Sequence, residues 1–131
     1  MKKLVLDLET TVSEVDGRKD NTPFNPNNKM VSAHFCWLGD TEVTSLVFHH
    51  NDQPVPDDPA PLTEVLMAAD MLIAHNAKFD VGWLVACGFP IPPKIFCTLI
   101  GEYVLAKGQR KELSLKAVAA RRADYDYAEA S

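Results

Sequence analysis

Two acidic side chains interrupt an otherwise apolar segment close to the start of the chain. Asp7 and Glu9 stand in the segment Leu4–Glu9, whose other members are leucine and valine. In a β-strand, residues two positions apart point to the same face and lie about 7 Å apart along the strand. Carboxylates held together repel each other unless a cation lies between them, and oxygen ligands of this kind suit Mg²⁺ or Mn²⁺. The pair favours a metal site, whereas a strand that ends near Leu6 would leave both acids solvated.

A second polar cluster directly follows the short apolar segment Met71–Ala74 and ends at Asp80. We expect Asp80 in the first turn of a helix, where the helix dipole favours a negative charge, and Asn76 would suit a helix cap. If Met71–Ala74 is a strand parallel to the first one, Asp80 meets the earlier two acids at one edge of the sheet. Open α/β sheets bind ligands at that edge. Three carboxylates converging there would form a metal site.

The elements that must position these acids are predicted from hydrophobic periodicity and turn residues. Strands that open as a meander and then add a helix-connected strand predict an α/β fold, a mixed sheet of the five-stranded type flanked by helices. Residues 13–29, which are polar and contain two prolines, are predicted to form a long loop. The predicted strands are Lys3–Leu8, Met30–Leu38, Val43–His49 and Met71–Ala74, and the predicted helices are Leu62–Ala69, Phe79–Cys87, Thr98–Ala106 and Leu113–Arg122.

Length and composition limit the class of protein. The chain has 131 residues, 47% hydrophobic, which fits one globular domain and excludes a disordered chain. No apolar run reaches the roughly 18–20 residues of a membrane span, and no signal-peptide core follows Lys2 and Lys3, so we expect a cytoplasmic protein. The three cysteines lack paired spacing and are predicted to be buried apolar side chains. A net charge of −5 argues weakly against binding nucleic acid through bulk charge.

Two short motifs resemble those of a known enzyme family. Leu6–Thr11 resembles the first motif, D-x-E-T, of the DEDD or DnaQ-like 3′–5′ exonucleases, and His75–Asp80 resembles their second motif, N-x-x-F/Y-D. The segments Cys97–Leu105 and Leu113–Ala119 are similar to part of the proofreading domain of phage family A DNA polymerases. Cys97 stands where those domains usually carry Asp.

This resemblance covers nearly the whole chain and implies an RNase H-like fold. It predicts an exonuclease-like, C-terminally incomplete domain over residues 1–122 and a tail over 123–131. The family carries a further acid, as Y-x-x-x-D or H-x-x-x-x-D on a late helix, and that motif is not matched after Arg122. Tyr125 with Glu129 would be a stand-in in which Glu replaces the Asp of the motif. We therefore expect little or no exonuclease activity from the chain alone.

The resemblance also implies a two-metal mechanism, in which one Mg²⁺ or Mn²⁺ ion activates a water and the other stabilises the leaving 3′ oxygen. Asp7 would bridge both ions, Glu9 would bind the ion that holds the water, and Asp80 would support the second ion. Glu9 would also help to position the terminal nucleotide. Phe79 equally suits the apolar core of its helix. The substrate-binding residues would be Thr10, Asn76 and Phe79.

The implied substrate is the 3′ end of single-stranded DNA, and the implied partner is a DNA polymerase domain or subunit. In a phage-encoded protein the location would be the host cytoplasm. Two alternatives remain open from the sequence. One is a non-catalytic module that binds nucleic acid or a protein through the same cleft, and the other is an RNA-trimming exonuclease.

Overall fold

A five-stranded mixed sheet organises the chain, for which a computed structural model describes residues 1–49 and 53–100. The strand order is β5-β4-β1-β6-β7, with β1, β6 and β7 parallel and β4 antiparallel to both β1 and β5. This confirms the predicted α/β class and mixed sheet. The elements are β1 Lys3–Thr10, β2 Ser13–Val15, β3 Arg18–Asp20, β4 Met30–Trp37, β5 Thr44–Val47, α1 Ala60–Ala68, β6 Met71–Ala74, α2 Ala77–Ala86 and β7 Lys94–Cys97.

The central strand β1 alternates between apolar and polar side chains. Leu4, Leu6 and Leu8 are buried, whereas Asp7 and Glu9 are exposed on the opposite face. This alternation follows from the two-residue period of a strand. Because β1 continues well beyond Leu6, both acids lie within the strand, and the alternative in which they follow it is wrong.

One apolar core joins the sheet to both helices. Leu62 and Leu66 of α1 are one helical turn apart and belong to the same buried cluster as the β1 leucines. Trp83 and Leu84 of α2 complete this cluster. Each fully buried side chain of this kind contributes about 1.5–3 kcal/mol. Since the cluster anchors α2 by Trp83 and Leu84, it also fixes the preceding turn of that helix, which carries Asp80.

A small hairpin occupies part of the segment that was predicted to be an unbroken loop. Strands β2 and β3 pair in antiparallel fashion across Asp16 and Gly17, whose φ angles are 52° and 78°. Two consecutive positive φ angles are typical of the type I′ turn, which favours Asp-Gly. The loop prediction for residues 13–29 is therefore wrong in its first half, and the Asp-Gly pair was the available signal.

Strand β7 is absent from the predicted elements. It has only four residues, too few to show a strand period, and no turn residue separates it from the helix that begins at Thr98. Directly after it, residues 98–100 are helical and begin the helix predicted at Thr98. The rest of that helix, the predicted helix Leu113–Arg122 and the proposed domain boundary at residue 122 lie outside the described residues.

The cysteines differ in burial from the prediction. All three are free, but Cys87 is exposed at the end of α2, while Cys36 and Cys97 are half-buried. In the described ranges, no helix has the length and apolar character needed to cross a membrane.

Candidate metal centre

The parallel pairing of β1 and β6 brings the two acidic motifs to one edge of the sheet. The register pairs Lys3 with Met71 and Val5 with Ile73. Both strands therefore run toward the same edge, and continuing this register by two residues places His75 beside Asp7. The parallel arrangement on which the convergence of the motifs depended is confirmed.

Between β6 and α2 the chain reverses at a single residue. Asn76 has φ 59° and ψ 58°, a left-handed conformation that asparagine tolerates better than most residues. Asn76 occupies the N-cap position of α2 as predicted, but its side chain is exposed and makes no capping hydrogen bond. The left-handed turn instead allows α2 to begin immediately at Ala77, and Asp80 then lies in the first turn of the helix as predicted.

Asp80 is a buried carboxylic acid beside another carboxylate. Its side chain is only 2% exposed. Burial raises its pKa to about 7, the charge of Asp7 adds to this rise, and a hydrogen bond from the backbone N–H of Leu8 opposes it. Because the Asp7 charge acts on Asp80, the structure brings the acids of the two motifs close together across β1 and α2.

Asp7 lies at the centre of the polar cluster. Burial of its carboxylate is the largest cause that raises its pKa, although part of the side chain is open to solvent. The imidazole of His34 opposes this rise, Glu9 adds to it, and the imidazole of His75 opposes it. Asp7 therefore interacts with acids on both sides and with imidazoles from β4 and from the end of β6.

Glu9 has different surroundings, because it lies against the antiparallel strand β4. The register pairs Glu9 with Ser32 and His34 with Ser45, so these side chains share one face of the sheet. The hydroxyl of Ser32 donates to Oε2 of Glu9 at 3.3 Å and lies 2.9 Å from Nε2 of His34. Nδ1 of His34 lies 2.8 Å from the hydroxyl of Ser45.

The direction of this hydrogen-bond chain follows from its donors. Ser32 has a single hydroxyl proton, and because it donates this proton to Glu9 it must accept a bond from Nε2–H of His34. In the neutral ring, Nδ1 then accepts from Ser45. The hydrogen-bond chain therefore ends at the Ser32 hydroxyl, which donates to the Glu9 carboxylate and opposes rotation of that side chain.

A β-bulge follows Glu9 and changes the direction of the strand end. Glu9 pairs with Ser32, but Thr10 pairs with Met30, so Val31 has no partner on β1. Bulges strengthen the local twist and redirect neighbouring side chains. The bulge therefore turns Thr10 away from the regular register directly after the acidic pair.

The three residues predicted to bind substrate have different environments. Thr10 is half-buried at the end of β1, and Asn76 is exposed at the turn before α2. Phe79 is partly buried and packs against the apolar core. This packing supports the alternative in which Phe79 is a core residue of its helix.

Cys97 occupies the end of β7 beside the start of α2. Burial alone would raise the pKa of its thiol, but hydrogen bonds from the backbone amides of Ala77, Ile100, Leu99 and Asn76 lower it overall. The sulfur accepts from the Ala77 N–H at 3.3 Å. These amides offer the thiol the same donors that an aspartate would accept at this position.

The acidic residues suit a divalent cation in chemistry, although their side chains are not arranged around a common point. Within residues 1–49 and 53–100, no group of three His, Cys, Asp or Glu side chains has the geometry of a metal site. Glu9 is engaged by Ser32, and Asp80 by the amide of Leu8. A buried acid whose pKa is raised by a second carboxylate is nevertheless stabilised by a cation between them. Asp7, Glu9 and Asp80 are the residues that would hold it.

Sequence reasoning missed the side chains that surround Glu9. Ser32 and His34 are polar residues two positions apart in an apolar segment, the same pattern that marked Asp7 and Glu9. That pattern was the available signal. The contact with Glu9 additionally needs the β1–β4 register, which the pattern does not contain.

The five-stranded mixed sheet flanked by helices is an α/β fold of the RNase H-like type, and solved nuclease structures share it. No protein-family model matches the chain, and no curated protein sequence matches it. NrnC of Brucella melitensis with bound Mg²⁺ superposes with a TM-score of 0.67 and 18% identity, over 95% of this chain and 54% of that one. The apo form of a nuclease gives 0.67 and 20%, over 95% and 53%. Brucella melitensis NrnC bound to pGG gives 0.65 and 19%, over 95% and 53%. The chain therefore spans about half the length of these structures, and at such identities the likeness shows the fold alone.

Proposed function

We propose that this chain is the metal-binding part of a 3′–5′ exonuclease of the proofreading type, which hydrolyses the terminal phosphodiester of single-stranded DNA. The observation that carries the proposal is the position of Asp80, which is buried and close enough to Asp7 for the charge of Asp7 to raise its pKa, next to the parallel strands β1 and β6. The shared fold adds support, because NrnC, one of the structures with this fold, was solved with bound Mg²⁺. A DNA polymerase domain or subunit is the proposed partner.

In this proposal Asp7, Glu9 and Asp80 hold two Mg²⁺ or Mn²⁺ ions. When bound, the metal would supply an activated water and charge stabilisation at the leaving oxygen. Asp7 lies between the other two acids and is therefore the residue that both ions would share. Ser32 keeps the Glu9 carboxylate in one orientation through its hydroxyl. Thr10 and Asn76, at the ends of β1 and β6, would contact the terminal nucleotide.

RNA trimming is the second candidate function. The fold is shared with NrnC bound to pGG, and neither the acids nor their neighbours distinguish a ribose from a deoxyribose. A non-catalytic binding module is the third candidate. It differs from both enzymes in its metal chemistry, because it requires no site for two divalent ions.

Metal binding is the first test, because the motif that supplies the further acid of the exonuclease family, Y-x-x-x-D or H-x-x-x-x-D, is not matched in this sequence. Calorimetric titration of the chain with Mn²⁺ should show two sites, and Asp80→Asn and Asp7→Ala should each remove at least one of them. Asp40→Ala, which changes an exposed acid in the turn after β4, is the matched control. One weak site that survives both substitutions would support the binding module and overturn the enzyme.

The second test compares substrates directly. Single-stranded DNA and RNA of one sequence, labelled at the 5′ end, are incubated with the chain in Mg²⁺ and in Mn²⁺. Little or no shortening from the 3′ end is expected, because the further acid of the family is not matched in this sequence. Robust shortening that is lost in Asp7→Ala would support the exonuclease but overturn the expected inactivity, and the substrate that is shortened faster would then decide between DNA and RNA. Cleavage that survives Asp7→Ala would overturn the assignment of the site.

A further inference from the structure

The loop between β3 and β4 exposes an aromatic side chain in a manner unusual for a folded protein. Phe24 is 87% exposed, more than any other large apolar residue in the described parts of the chain. Single exposed apolar residues are common on folded proteins. Here, however, the backbone around Phe24 is held on both sides by a dense set of hydrogen bonds.

Hydrogen bonds between residues of the hairpin and the loop hold the loop in one conformation. The Asp20 carboxylate accepts from the backbone N–H of Thr22 and from Nδ2 of Asn25, each at 3.0 Å. Nδ2 of the buried residue Asn28 donates to the carbonyls of Asp20 and Thr22 at 3.0 and 2.9 Å, and the Ser13 hydroxyl donates to its Oδ1. Phe24 therefore lies within a closed network, with a bonded residue on each side of Pro23 and Phe24.

The same loop is attached to both elements that carry the acids. The backbone N–H of Thr11 donates to the carbonyl of Lys29 at 2.9 Å, and the N–H of Lys29 donates to the Thr11 hydroxyl at 2.8 Å. Indole Nε1–H of Trp83, one turn after Asp80 on α2, donates to the carbonyl of Asn21 at 3.0 Å. The loop is thus bonded directly after the acidic pair of β1 and also to the helix of the third acid.

We propose that Phe24 is a stacking site for a base of the single strand whose 3′ end lies at Asp7, an inference that rests on the proposed function. Exposed aromatic rings bind unpaired bases of any sequence by stacking. A rigid loop loses little entropy on binding, which favours this use of the ring. Arg18 and Lys29 have exposed side chains on the same hairpin and loop, and their positive charges would attract the phosphates of the strand.

Binding of a fluorescein-labelled oligonucleotide to the chain tests the proposal, with Ca²⁺ replacing Mg²⁺ so that the strand is not cut. Phe24→Ala and Phe24→Leu should each weaken binding about 5-fold or more, because stacking on one ring has roughly this effect. Phe24→Trp should retain the affinity, and its additional indole emission should be quenched by the oligonucleotide. Met67→Ala, at a residue 75% exposed on α1, is the matched control and should bind normally.

An abasic scan separates stacking from other contacts. Oligonucleotides with one base removed at successive positions from the 3′ end should lose affinity at one position, and Phe24→Ala should be insensitive to that removal. The scan is run on DNA and RNA of the same sequence, and both should respond because every base has an aromatic face.

Three outcomes would overturn the stacking site. One is unchanged affinity in Phe24→Ala, and another is full affinity in Phe24→Leu, which has no aromatic face. The third is a change of sedimentation in Phe24→Ala without a change in oligonucleotide affinity, which would indicate a protein contact. If the unmodified chain binds neither Mn²⁺ nor the oligonucleotide, the proposed function fails as well. If it binds both and Phe24→Ala has no effect, only the stacking site is lost.

Discussion

Asp7 and Glu9, the two acids of the first motif, have different surroundings on the two sides of β1. On the parallel side, toward β6, burial raises the pKa of both Asp7 and Asp80, and the charge of Asp7 raises the pKa of Asp80 further. On the antiparallel side, toward β4, Glu9 accepts a hydrogen bond from Ser32, and this hydrogen-bond chain continues through His34 to Ser45. Asp7, which repels a second carboxylate, and Glu9, which is held by a hydrogen bond, are thus only two positions apart in β1.

The two sides of β1 would therefore contribute to the candidate metal centre in different ways. The parallel side stores electrostatic free energy that a cation would release on binding, because one buried acid must otherwise keep its proton. On the antiparallel side, the Ser32 hydroxyl orients the Glu9 carboxylate before a cation binds, and hydrogen bonds of this kind to a metal ligand tune metal affinity. We expect substitutions on the parallel side to change metal binding and pH dependence strongly, and those on the antiparallel side to have smaller effects.

The largest expected effect is the loss of Asp7, which belongs to both sides. Asp7→Ala should weaken Mn²⁺ binding at least about 100-fold, since it removes a ligand and not merely a supporting contact. The measurement is calorimetric or by the electron paramagnetic resonance of free Mn²⁺. Asp40→Ala should bind as the unmodified chain does. If Asp7→Ala bound Mn²⁺ normally, the site would have to lie elsewhere.

The next largest effect concerns Asp80 and the pH dependence of stability. Its pKa rises from 3.8 to about 7 on folding, so between these values the folded state keeps a proton that the unfolded state has lost. The free energy of unfolding of the metal-free protein should therefore fall as pH rises through this window, by at most about 4 kcal/mol.

Asp80→Asn removes this titration and should largely abolish the fall. Urea unfolding of both proteins with a chelator present, over the same pH window, measures the difference. Addition of Mn²⁺ at high pH should stabilise the unmodified protein but not the variant. Parallel pH profiles for the two proteins would contradict the burial of Asp80 beside Asp7.

A smaller effect is expected on the antiparallel side. Ser32→Ala removes the donor to Glu9 and leaves Nε2–H of His34 without its acceptor, which should cost about 1 kcal/mol of stability. Mn²⁺ affinity should fall about 10-fold, because Glu9 becomes free to rotate. Ser32→Thr keeps a hydroxyl and should restore most of the affinity. Equal affinity in the alanine and threonine variants would show that Ser32 does not orient Glu9.

The smallest effect concerns the turn that leads into α2. Asn76→Gly should change the free energy of unfolding by less than about 1 kcal/mol and in the stabilising direction, because glycine accepts a positive φ without strain. Asn76→Val should destabilise by about 1–2 kcal/mol for the opposite reason. Thermal unfolding of the pair gives the test. Equal stability would argue against the left-handed turn.

Individual elements show which parts of the fold the sequence predicts. Met71–Ala74 has the predicted bounds because four apolar residues lie between Asp70 and His75, and a parallel strand between other strands is apolar on both faces. The edge strand β7 escapes prediction because it has only four residues and no turn residue separates it from the helix that begins at Thr98. The hairpin β2–β3 was not predicted for a different reason. Its Asp-Gly turn can be recognised in the sequence, but the strands on either side of it are short and polar.

The sequence by itself determines that Asp7 and Glu9 share a face, because the two-residue period of a strand is local, and that Asp80 lies in the first turn of a helix. Only the tertiary structure decides that Asp80 is buried against Asp7 and that Glu9 meets Ser32. Burial and charge interactions depend on distances between segments far apart in the chain. Those distances are set by strand register, which no short motif encodes.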